Sequence, residues 1–163
     1  MNSRRIAALL VAAACGWMAL AAQAQVPQYG PNVTYDQARK AVAGAIADAR
    51  RQSLPMAVAV VDTAGQLVVF ERMDNTQTAS TAAAQDKAVS AAMYQRPTKA
   101  FQDLVAGGGV GLRVLTLRGA TAVEGGLPLT MDGKIIGAIG VSGGSSEQDG
   151  GVAKAGVDAL AAK

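Results

Sequence analysis

The 163-residue chain contains no histidine, one cysteine, one tryptophan and only 4% aromatic residues. Without histidine it can hold no Ser-His-Asp or Cys-His triad, no His-ligated zinc, no two-His iron site and no bis-His haem. Proton chemistry falls to Asp, Glu, Lys, Tyr and Arg. A single cysteine, Cys15, forms no intrachain disulfide, so core packing alone must hold the fold. Charge is sparse too, at 17% of residues with a net +3. No basic stripe interleaved with aromatics is present, which argues against a nucleic-acid partner.

The long apolar run is confined to the N-terminus. Arg4 and Arg5 precede Ile6 to Ala22, and Ala22-Gln23-Ala24 has the small-x-small form of a signal-peptidase site. Residues 1–24 therefore read as a secretory signal cleaved before Gln25, which places the mature chain in the periplasm or outside the cell. The run is short and weakly hydrophobic for a retained anchor, so no stable membrane span is expected after cleavage. A lipoprotein signal at Cys15 would leave a short hydrophobic region and no leucine at the usual place. Cleavage removes Cys15, Trp17 and two arginines, taking the net charge from +3 to +1. Residues 25–33, with Pro27, Gly30 and Pro31, read as a linker, and residues 34–163 as one domain.

Within that domain, residues Thr34 to Ser53 have helical spacing, with a Thr34/Gln37 capping box and Arg50 and Arg51 in the last turn. Met56 to Asp62 and Gln66 to Glu71 read as a hairpin around Thr63-Ala64-Gly65. Ser80 to Tyr94 is an alanine-rich helix, and Thr98 is placed to cap a short one through about Val105. Arg113 to Leu117 reads as a strand after a glycine-rich joint. Gly125 to Asp149 carries most information: a strand, an Asp132-Gly133 turn wanting φ > 0 at both positions, a nearly continuous apolar strand from Lys134 to Val141, then a Gly-Ser loop opening a helix. Ser145 or Ser146 caps that final helix, with Glu147 and Asp149 in its first turn. The order predicts an α+β fold, a mostly antiparallel sheet packed with helices.

No strong catalytic spacing stands out. Arg72-Met73-Asp74 follows a strand and reads as a pocket rim or a solvated loop. Lys87 reads equally as a surface lysine or a ligand contact, and Tyr94 with Arg96 as an apolar cap or a pocket wall. Met73, Met93 and Met131 have thioethers able to ligate haem iron, against the usual role of methionine as core filler. Glu124, before Gly125-Gly126, reads as a general base or a turn carboxylate.

Taken together, Val60-Val61-Asp62 with Gly65, Arg72-Met73-Asp74, Lys87-Ala88, Arg96-Pro97-Thr98, Gly125-Gly126-Leu127-Pro128 and the run Gly137 to Gly144 with Gln148-Asp149 resemble the GlcG/HbpS-like family. That family is also known as DUF336 or haem-degrading and includes the C-terminal domain of PduO-type proteins. The resemblance covers the chain from about Thr34 onward. It implies a profilin-like sandwich of about five strands, homo-oligomeric assembly and haem as ligand. On that implication the haem contacts are Arg72, Met73, Lys87, Tyr94, Arg96, Ser142, Gly143 and Gly144, with Met73 or Tyr94 on the iron. The absent histidine is a departure for any member that uses one as axial ligand. The alternative is an enzyme or accessory factor acting on a small organic acid, with Glu124 and Asp149 as acid–base groups and the Gly-Ser loop holding a carboxylate.

Overall fold

The computed structural model describes residues 27–162, so residues 1–24, expected to be a secretory signal, and the first residues expected to be linker lie outside it. Four helices and four strands follow in the order α1 (Tyr35–Arg51), β1 (Ala57–Asp62), β2 (Leu67–Arg72), α2 (Ser80–Tyr94), α3 (Lys99–Ala106), a 3-10 helix (Gly109–Thr116), β3 (Gly126–Met131), β4 (Lys134–Ser142) and α4 (Ser146–Ala161). The strands form one antiparallel sheet in the order β2-β1-β4-β3. The expected α+β class stands. The expected count of about five strands does not, since the described sheet has four.

The apolar run in β4 is buried from Ile135 to Ser142, as a central strand covered on both faces requires. One face carries Val58, Val60, Ile139 and Val141 against α1 and α4, including Val42, Ile46 and Val152. The other carries Ala57, Ala59, Val61 and Ala138 against Ala84, Ala88, Ala91 and Ala92 of α2. This second interface is made of small side chains, so α2 lies almost on the sheet. A Cβ on Gly140 would run into the backbone of Ala84 and Ala88. Close approach is bought there by glycine.

Local signals behave as their chemistry dictates. Thr34 and Ser145 each form a complete capping box, with Gln37 and Gln148 respectively. Asp132 (φ 51°) and Gly133 (φ 73°) both take the left-handed region that a two-residue hairpin turn needs. The last residues of the segment read as linker lie against the sheet end: Tyr29 bridges Ile135 in parallel, and the Gly30 N–H donates to the Ile135 carbonyl at 2.8 Å.

The strand expected at Arg113 to Leu117 is instead the 3-10 helix Gly109–Thr116. The outer edge of β3, where a fifth strand would add, is already taken. Thr98 donates its N–H to the Gly126 carbonyl at 3.0 Å, and its hydroxyl accepts from the Gly126 N–H at 2.9 Å. Pro128, the next outward-facing residue, has no N–H to offer, a common way of blunting a sheet edge. Thr98 thus spends its hydroxyl on β3 and not on capping α3, where it makes no side-chain cap bond.

Candidate functional site

At the C-terminal end of β4, α2 and α4 are joined through a buried ion pair. Lys87 Nζ lies 2.7 Å from Asp149 Oδ2, and both residues are 3% exposed. Lys87 also donates to the Val141 carbonyl at 3.0 Å, and the Gly144 N–H donates to Asp149 Oδ1 at 2.9 Å. Each charge is therefore both paired and hydrogen-bonded, the condition under which burial is tolerated. Among the described residues no buried side-chain nitrogen or oxygen lacks a partner.

The surrounding backbone is fitted to this pair. Gly125, at φ 126°, lies so close that a Cβ would stand 2.9 Å from Lys87 Nζ and 2.6 Å from the Val141 carbonyl oxygen. Its own carbonyl accepts from the Val141 N–H at 2.9 Å. Ser142 lies alongside, its hydroxyl 3.2 Å from that of Ser80 at the start of α2. Glu124 places its carboxylate against the bare Cα of Gly150, and the Gln102 side chain holds its N–H at 2.8 Å. The structure thus brings Lys87, Glu124, Ser142, Gly143, Gly144 and Asp149 together. Arg72 and Met73 belong to the same end of the sheet: Ala57 pairs with both Arg72 and Ser142, and Met73 donates its N–H to the Met56 carbonyl at 2.9 Å. Met73 is half-buried against the α1/α4 core.

Tyr94 and Arg96 are elsewhere. α2 begins beside Ser142 and ends at Tyr94, about 20 Å further along its axis at 1.5 Å per residue. There Tyr94 stacks edge-on against Phe101 with centroids 5.1 Å apart, Arg96 lies over the same ring, and the Tyr94 hydroxyl donates to the Arg118 carbonyl at 2.8 Å. The ten named residues therefore form two groups, Tyr94 and Arg96 at the C-terminal end of α2 and the other eight around its start and its middle, where Lys87 lies.

This arrangement limits the chemistry each group can do. Lys87 and Asp149 hold each other inside the fold, so Lys87 has no outward-facing charge for a propionate. Glu124 is the half-buried carboxylate of the cluster that is not tied into that pair. Lys99, on α3, is held above the ordinary lysine range chiefly by its hydrogen bond to Asp103, with the Glu124 charge adding to this. Among the described residues there is no group of three or more His, Cys, Asp or Glu side chains able to hold a metal ion. No helix among them is long and apolar enough to cross a membrane. Sequence reasoning missed the Lys87–Asp149 contact and the role of Thr98. The one available signal was that Lys87 lies on the Ala84, Ala88 and Ala91 face of α2, an odd place for a solvated lysine.

By architecture this is an α+β domain with helices on both faces of a four-stranded antiparallel sheet and a charged tie buried at the end of its central strand. The family model described as "Haem degrading protein HbpS-like" matches residues 33–158, and the chain belongs to that family. It is 36% identical over 95 residues to protein GlcG of Escherichia coli (strain K12), spanning 58% of this chain and 69% of that protein. Its fold is similar to that of Klebsiella pneumoniae protein ORFY, with a TM-score of 0.75 and 29% identity over 83% of this chain and 95% of that one. It is likewise similar to the protein in the PduOC:heme complex, with a TM-score of 0.71 and 29% identity over 78% of this chain and 94% of that one.

Proposed function

We propose that this chain is a secreted or periplasmic haem-binding protein that works as a homo-oligomer. The observation that carries the reading is membership of the HbpS-like family, joined to the likeness to a protein solved with haem. The leader-like sequence of residues 1–24 supports the location. The side chains at the surface suit a flat, mostly apolar molecule bearing carboxylates. Large aliphatic residues are exposed, several of them in the same stretch of sequence as the exposed Arg113 and Arg118, and Met93 and Met131 are exposed as well. When bound, haem would supply iron redox chemistry; the chain's own part is to shield the macrocycle, pair its propionates and offer sulfur or oxygen to the iron.

Titration of the chain beginning at Gln25 with hemin tests this. A saturable Soret band is expected, with a spectrum of sulfur or oxygen ligation, since no imidazole exists in the chain. A titration indistinguishable from hemin added to buffer overturns the reading.

One observation favours a second reading, chemistry on a small organic acid. Glu124 lies at the start of α4 over the bare backbone of Gly150, beside the Gly-Ser loop. A proton-transferring carboxylate there would have the positive end of the helix next to it. Glu124→Gln abolishes turnover under this reading and leaves hemin binding unchanged under the first.

A further inference from the structure

Five of the seven large aliphatic side chains that are exposed among the described residues lie on one short stretch. Leu104 closes α3, and Val110, Leu112 and Leu115 stand on the 3-10 helix, with Leu117 just after it. All five are exposed, Val110 by 71% and Leu115 by 66%. Three residues per turn puts Leu112 and Leu115 directly in line, while Val114 alone turns inward and is buried. The 3-10 helix is pressed onto the end of α3, because a Cβ on Gly111 would run into the Leu104 carbonyl. The same repeat puts Val110 in line with Arg113 on the adjoining row, so the Leu112/Leu115 row and the Val110 row together make the exposed side of a 3-10 helix seated on the end of α3, which we call the ledge.

Isolated exposed leucines need no explanation, but a contiguous apolar patch on one element marks a binding surface. Its charge indicates the occupant. Residues 104–123 include Arg113 and Arg118 and no Asp or Glu, and both arginines are exposed. The far end of the stretch is bordered by the exposed Met93, whose sulfur lies 3.9 Å from where a Cβ on Gly119 would stand. An apolar surface on a stretch that carries two exposed arginines and is bordered by a methionine suits a flat macrocycle with two carboxylates, since arginine pairs carboxylates in a planar fork.

We propose that haem docks on the exposed side of this 3-10 helix, over Leu112 and Leu115, with Val110 on the adjoining row and Arg113 and Arg118 pairing with its propionates. The inference rests on the haem-binding reading above and gives that reading a location away from the Lys87–Asp149 cluster. The signal is absent from the motifs of the family resemblance, because those lie before and after this stretch and not within it.

Hemin titration of the chain beginning at Gln25 is compared with that of Leu112→Asp/Leu115→Asp, Arg113→Glu/Arg118→Glu and Tyr35→Ser, the last an exposed aromatic on α1 across the sheet. Circular dichroism melts establish that each variant is folded, and sedimentation gives its oligomeric state. Saturable binding by the parent, at least tenfold weaker binding by both ledge variants and unchanged binding by Tyr35→Ser support the proposal. Saturable binding by all four chains leaves haem binding standing and removes the ledge as its site. Ledge variants that become smaller oligomers yet bind hemin unchanged assign this surface to a second copy of the chain and overturn the proposal. No binding by the parent removes the haem reading itself.

Discussion

Lys87 and Asp149, 62 positions apart in sequence, meet at 2.7 Å beneath the bare backbone of Gly125. The contact fastens α2 on one face of the sheet to α4, which packs the other, at the point where β4 gives way to the Gly-Ser loop. Removing one partner strands a buried charge, whereas removing both leaves an apolar gap that can be filled. Lys87→Met or Asp149→Leu alone is expected to cost about 3–5 kcal/mol, and the double variant to recover most of it. Denaturant melts of the four proteins in this cycle measure the coupling directly.

Gly125 provides a second check on the same feature. Gly125→Ala would place a methyl group against Lys87 Nζ and the Val141 carbonyl, at a φ of 126° that a side chain tolerates poorly. Gly133→Ala changes a residue at φ 73° with nothing within 4 Å of the new Cβ. The turn substitution is expected to cost about 1 kcal/mol. The Gly125 substitution should cost at least twice that, and equal melting temperatures would show that the backbone there is not fitted to the ion pair.

Thr98 seals the outer edge of β3 with two hydrogen bonds to Gly126. Thr98→Val keeps the shape and deletes the hydroxyl, leaving the buried Gly126 N–H without its acceptor. A loss of about 1–3 kcal/mol is expected. Amide exchange at Gly126 should speed up before that of β4, because the lesion is at the sheet edge.

Much of the fold was legible because its signals are local. The Thr34/Gln37 capping box, a serine cap on the last helix, the Asp132-Gly133 turn and the apolar run of β4 each follow from neighbouring residues, and each appears where the chemistry puts it. Arg113 to Leu117 misled because Val114, Leu115, Thr116 and Leu117 are residues that fit a strand, while the glycines before it and the blocked edge of β3 favour a tight helical turn. The residues around Lys87 were legible only as separate motifs. Nothing local tells a lysine in α2 that its partner is the first-turn aspartate of α4, and the segregation of Tyr94 from Ser142 follows from helix length once both ends of α2 are placed. The ledge at 104–117 drew no attention because it is composed of ordinary aliphatic residues, and only their exposure makes them notable.

The central claim, that haem and not a small organic acid is the ligand, is tested most directly by the melting temperature of the chain beginning at Gln25. A ligand that binds only the folded state stabilises it by about 2.7 kcal/mol when present at a hundred times its dissociation constant. Hemin is expected to raise the melting temperature by several degrees, and a panel of small mono- and dicarboxylic acids to leave it unchanged. A rise with one of the acids and none with hemin would contradict the account.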